Sequence, residues 1–209
     1  MSSHADAGSR LAHFPISFFA MTLGLTGLTI AWEKAQHVFG VDLGLGLPLA
    51  TASAAVFAIL LGLYLAKIVR HRSAVIQELH HPIKLAFFPT ISISLLLLAI
   101  AFLGVGTEVI YQQIARGLWV TGASLQLVLT VYVLNTWMHQ DHFKIHHLNP
   151  AWFIPAVGNI VVPIAGIPLG YVDVSWFFFS AGLISWIVLL TIVLYRILFH
   201  EPIETRLLP

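Results

Sequence analysis

The run "WFIPAVGNIVVPIAGIPLGY", Trp152 to Tyr171, is apolar and long enough to cross a bilayer, yet it holds Pro155, Pro163 and Pro168 together with Gly158, Gly166, Gly170 and the amide Asn159. A proline inside a helix removes a backbone donor and bends the chain. In lipid such a break persists only where neighbouring helices or a water-lined cavity satisfy the freed carbonyls. This segment therefore reads as a transmembrane helix that lies inside a bundle.

The rest of the chain agrees. It has 209 residues, 58% of them hydrophobic and 9% charged, with a mean hydropathy of +0.90, against roughly 25% charged in a soluble domain. The expected fold class is an all-α integral membrane protein, a single transmembrane domain over residues 1–209. Helices are expected over about 14–33, 47–69, 85–106, 114–138, 150–171 and 174–198, between polar tails at 1–13 and 199–209. The first apolar run is too long for a signal-peptide core and reads as an uncleaved span. The chain has no cysteine, which removes disulfides and thiolate chemistry, and its net charge of +1 gives a nucleic-acid partner no support.

With the N-terminus inside, one side of the membrane collects Arg10, Lys67, Arg70, Arg72, Lys84, Lys144, Arg196 and Arg206, leaving Lys34 and Arg116 outside. That bias places both termini in the cytoplasm of a multi-pass cell-membrane protein. "KIVRHRSAVIQELHHPIK", between the second and third spans, carries most of it and is expected to lie along the headgroups.

The odd spans share an opening: "FPISFF" at Phe14, "FFPTISIS" at Phe87 and "WFIPAVGN" at Trp152. Pro15, Pro89 and Pro155 recur at intervals of about one helix, a loop, a second helix and a return, so the unit is a helical hairpin used three times. Pro15 and Pro89 either kink their helices or sit in the first turn, where a proline costs nothing. Residues three and four after each proline share its face: Phe18 and Phe19, Ser92 and Ile93, Gly158 and Asn159. Thr22, Gly24, Gly27 and Ser94 extend a small or hydroxyl-bearing stripe, which serves close packing or lines a path. The even spans are bulky, so an inner ring of odd helices and an outer ring of even ones is expected.

No ionisable side chain lies in the middle of any span, which weighs against proton relays, ion-coupled pumps and membrane hydrolases. HExxH, GxSxG and a phosphate-cradling glycine loop are absent. No catalytic residue and no cofactor are expected. An uncharged, polar-lined route remains, with the basic cytoplasmic mouth concentrating anions.

Four ordered stretches, "PISFFAMTLGLTGLTIAW", "HHPIKLAFFPTISIS", "WFIPAVGNIVVPIAGIPLGY" and "GLISWIVLLTIVLYRILF", resemble the tellurite-resistance (TehA) and C4-dicarboxylate transporter family, which includes plant slow-type anion channels and fungal malate permeases. The resemblance implies kinked odd helices around a central pore in a pseudo-fivefold ring of five hairpins, assembled as trimers. It implies small anions as cargo: chloride, malate-like dicarboxylates and tellurite. Carried over by position, Pro15, Pro89 and Pro155 would mark kinks, with Pro163 on the same broken fifth helix. Phe18, Ser92, Gly158 and Asn159 would lie on or near the pore side, beside Phe19 and Thr22. The family has ten helices and its pore-occluding phenylalanine on the ninth, so this chain corresponds to a partial ring of three hairpins, expected to be a truncated form or half of a split transporter.

"WMHQDHFKIHHLNP", Trp137 to Pro150, supports a competing reading. His139, His142 and His146 share a helical face if the fourth helix continues, and with His147 they resemble one box of a membrane di-iron or zinc enzyme. Such enzymes need several boxes, and the other inside segment offers only His71, His80 and His81 at poor spacing. Otherwise these are interfacial connector histidines, with Asn149 and Pro150 opening the fifth helix, or, with Lys84, charges at the cytoplasmic mouth. A non-conducting membrane subunit is the third possibility.

Overall fold

The computed structural model describes residues 10–41, 43–139 and 150–199. Within them the chain is helical: α1 (Phe19–Phe39), α2 (Gly46–Arg70), α3 (Arg72–His80), α4 (Thr90–Val105), α5 (Val109–His139), α6 (Phe153–Gly166) and α7 (Val172–Phe199). Short 3-10 turns, Ile16–Phe18, Lys84–Phe87 and Pro150–Trp152, lead into α1, α4 and α6.

Helix extents differ from expectation for local reasons. The charges Glu33 and Lys34 end the apolar run of the first span but not the helix. It continues through good helix formers to Gly40, whose left-handed φ of 64° closes it while Val41 N–H donates to Gln36 O at 3.1 Å. The fourth span begins at Val109, a turn before its expected start. The fifth stops at Gly166 rather than Tyr171, because Pro168 and Gly170, at φ 89°, turn the chain. Its 14 residues rise only about 21 Å, so five helices are long and apolar enough to cross a membrane and the fifth span is a shorter apolar helix beside them.

Pro15 and Pro89 are the N-cap residues of the first 3-10 turn and of α4, and Pro155 stands in the first turn of α6. At a helix start a proline costs no intrahelical hydrogen bond, because the first N–H groups of an α-helix have no partner there. Among the described helices Pro163 is the interior proline. It removes the donor for the backbone carbonyl of Asn159, four residues back.

Burial is concentrated in one of the odd spans. In the α4 span 72% of the apolar window is buried, against 28% for both the α1 and α2 spans. Helix α4 is uniformly apolar and sits between α1, α2, α5 and α6. The most extensive packing joins α4 to α5 and α6 to α7. The face of α1 bearing Phe18, Met21 and Leu28 is exposed, because no other described helix covers it.

Small residues let these helices approach. A Cβ on Gly158 would meet Gln126 Nε2 at 2.6 Å and Ile93 Cδ1 at 2.8 Å, and one on Gly182 would meet Ile160 Cγ1 at 2.7 Å. One core cluster joins Ala99, Trp119, Val162 and Phe178 across α4 to α7. A second joins Phe19, Phe57, Tyr64 and Phe88 through edge-to-face ring contacts.

Candidate functional site

A buried polar cluster lies where α4, α5 and α6 meet. Ser92 Oγ donates to Gln126 Oε1 at 2.6 Å, and Gln126 Nε2 donates to the Pro155 carbonyl at 3.1 Å. Thr130 Oγ1 and Asn159 Nδ2 donate to the same carbonyl at 3.2 and 3.1 Å. Gly158 is the residue that makes room, since the amide of Gln126 occupies the space its side chain would take. Ser92 and Gln126 are wholly buried and Asn159 nearly so. These amides and hydroxyls satisfy one another across three helices, as buried polar groups must.

The structure thus brings Ser92, Pro155, Gly158 and Asn159 together, around two residues that sequence reading passed over. Gln126 and Thr130 sit on α5, an even span taken to be merely bulky. The signal was an isolated amide in "ASLQLVLT"; attention to ionisable groups alone overlooked it.

The remaining expected residues lie elsewhere. Phe18 and Phe19 diverge: Phe18 is 42% exposed and edge-on to Phe14, whereas Phe19 is fully buried against Phe57 and Tyr64. Thr22 is buried with Thr26 and Thr29 along one face of α1; Thr26 Oγ1 donates to Thr22 O, and Thr29 Oγ1 lies 3.2 Å from Ser53 Oγ on α2. This hydroxyl stripe is a packing seam. Gly24 and Gly27 face open space. Pro163 is half-buried, and Lys84 is exposed with its ammonium 3.9 Å from Glu78 Oε1. His142, His146 and His147 lie outside the described residues. Among the described residues no three His, Asp or Glu side chains gather as a metal centre.

A cleft of about 1080 Å³ opens where α1 and α4 end and α2 and α5 begin. Ile30, Ile100 and Ile164 line it, one from each of α1, α4 and α6, the helices that carry the proline repeat. Glu33, Lys34, His37 and Glu108 also line it, so carboxylates and basic groups are mixed there and neither sign dominates. The Glu33 side chain threads between Gly46 and Gly104: its carboxylate occupies the position of a Gly46 side chain, and its Cβ would lie 3.5 Å from a Gly104 Cβ.

At the opposite end, Lys67 and Glu78 form a buried ion pair at 2.9 Å. Tyr64 Oη donates to Glu78 Oε2 at 2.9 Å, and Lys67 Nζ donates to Phe14 O at 2.7 Å. The pair ties α3 to the end of α2 and to the residue before the first turn of α1. Sequence reading counted Lys67 only among the basic residues on the cytoplasmic side, because a charge's partner is invisible along the chain.

The sequence matches the voltage-dependent anion channel family (SLAC1) over residues 13–209. It is 27% identical over 211 residues to an uncharacterized transporter of Methanocaldococcus jannaschii, covering 96% of this chain and 61% of that protein. It is 29% identical to the S-type anion channel SLAH3 of Arabidopsis thaliana (95% of this chain, 32% of that one), and 26% identical to a tellurite resistance protein TehA homolog of Haemophilus influenzae (88% and 55%). The chain therefore spans about three fifths of the length of the archaeal relative and less of the others. An all-helical apolar bundle, an opening repeated at the start of α1, α4 and α6, and a match running from His13 to Pro209 agree, and the chain belongs to the voltage-dependent anion channel family.

Proposed function

We propose that this chain forms part of a transmembrane conduit through which small anions move passively down their gradients. The observation that carries the reading is the convergence of Ile30, Ile100 and Ile164, from the three repeat helices, on one cleft. Pore walls of this kind select by width, backbone dipoles and charge at the mouths, not by covalent chemistry. The names of the relatives, an S-type anion channel and a tellurite resistance homolog, support anions as cargo. Chloride, malate-like dicarboxylates and tellurite are the proposed substrates, and a homotrimer in the cell membrane with both termini cytoplasmic is the proposed assembly.

On this reading Phe18, exposed in the turn before α1, stands on the conduit side. Ser92 and Gly158 brace the wall from behind through Gln126, and Asn159 does so through Thr130 and the Pro155 carbonyl. Lys84 belongs to the cytoplasmic mouth.

The test is reconstitution of the purified protein in liposomes loaded with chloride or malate. Efflux above that of empty vesicles is expected, with potassium retained, and Ile100→Trp, which narrows the cleft, should slow it severalfold. Equal leakage of potassium and chloride, or no anion efflux, overturns the reading.

A further inference from the structure

The connection between α2 and α4 sorts its charges by sign. Its one carboxylate, Glu78, is 5% exposed and turned inward, held by Tyr64 and Lys67. Arg70 and Arg72 are exposed, as are His80 and the Lys84 side chain. Arg10, a few residues before the Phe14 carbonyl that Lys67 holds, is exposed as well. Among the described residues Glu33, Glu108 and Asp173 lie at the other ends of their helices, so this surface presents cations with no exposed acid among them.

The same surface is apolar between its charges. Val69 is 82% exposed, and Ile68 and Ile76 are 40% and 44% exposed. Because α2 ends at Arg70 and α4 begins at Thr90, the connection lies at the depth where a bilayer's hydrocarbon gives way to its headgroups. A dissolved anion would answer only the charges. An anionic lipid answers both needs, with phosphate for the arginines and an acyl boundary for Val69 and Ile76.

We infer that residues 68–84 form a docking surface for the phosphate headgroups of anionic lipids. The buried Lys67–Glu78 pair makes the surface: it withdraws the connection's own acid, which would repel a phosphate, and fixes α3 against α2. Since Lys67 also holds the Phe14 carbonyl, and Lys84 opens the 3-10 turn before α4, lipid bound here braces the starts of α1 and α4.

The experiment reads bound lipid and does not depend on anion flux, so its failure is separate from failure of the conduit reading. Purified protein is reconstituted in vesicles of phosphatidylcholine with one fifth phosphatidylglycerol and re-extracted in mild detergent, and the retained lipids are quantified by mass spectrometry. Wild type is expected to enrich phosphatidylglycerol over its share. Arg70→Gln/Arg72→Gln/Lys84→Gln should return the retained phosphatidylglycerol to near its one-fifth share, given the strength of each basic side chain at an anionic surface. Arg70→Lys/Arg72→Lys/Lys84→Arg should keep it. If the triple glutamine variant does not fold, the single variants are each expected to show part of the loss. No enrichment in wild type, or enrichment undiminished in the folded glutamine variants, overturns the inference. Loss of enrichment on adding inorganic phosphate at constant ionic strength also overturns it, by pointing to a site for dissolved anions.

Discussion

Ser92 Oγ and Gln126 Oε1 are 2.6 Å apart, both side chains without solvent exposure, on two helices that pack along each other. The amide's other end reaches the Pro155 carbonyl on a third helix. One glutamine thus ties α4, α5 and α6 together at the place where Gly158 lets them close.

Gln126→Leu removes two interhelical hydrogen bonds while keeping bulk. Interhelical hydrogen bonds in membranes contribute about 0.6 to 2 kcal/mol each, so the variant should lose roughly 1 to 4 kcal/mol of unfolding free energy in detergent. Thr121→Ala, whose exposed hydroxyl bonds only its own helix at Gly117 O, should change stability little. Equal stability of Gln126→Leu and wild type would remove the cluster from any account of the fold.

Gly158→Ala and Gly24→Ala should part company. The first drives a methyl group into Gln126 and Ile93, whereas the second meets open space. Overpacking costs about 1 to 3 kcal/mol, so thermal denaturation followed by circular dichroism should show a lower midpoint for Gly158→Ala. Gly24→Ala should melt at or slightly above wild type, because alanine is the better helix former.

Lys67→Met or Glu78→Gln alone breaks a buried ion pair and strands its partner, at a cost of about 3 to 5 kcal/mol. The double variant should lose less than the sum of the two, and a double-mutant cycle in detergent measures the difference. Strict additivity would mean that the 2.9 Å contact contributes no coupling.

Trp119 separates two contributions. Its Nε1 donates to Val162 O at 2.8 Å, and its ring stacks on Tyr171 at 4.5 Å. Trp119→Phe should keep much of the stack and lose the hydrogen bond, costing about 1 kcal/mol. Tyr171→Ala should lose the stack, beyond its area about 0.5 to 1.5 kcal/mol. If Trp119→Phe melts with wild type, the hydrogen bond is energetically silent.

The apolar runs were legible because lipid sets their length, and the family was legible because the proline-led openings stand in order along the chain. Helix ends were less so. Glu33 looked like a boundary because charge ends an apolar run, but a helix ends where backbone donors and acceptors run out of partners, at Gly40. The fifth helix was overextended for the converse reason: "GIPLGY" is apolar, so hydropathy passed over a turn made by Pro168 and Gly170.

The sequence alone determined that this chain lives in a bilayer, how many apolar segments it has, which openings repeat and which family it resembles. Each is a property of composition or one-dimensional order. Only the tertiary structure decided which polar groups answer one another: that Ser92 turns toward Gln126 and Asn159 toward Thr130, that Phe18 and Phe19 part, and that Lys67 is buried on Glu78 while the neighbouring arginines stay exposed. In lipid a polar side chain is placed by the partner that satisfies it, and such partners lie tens of residues away, on helices whose rotation about their axes no local pattern specifies.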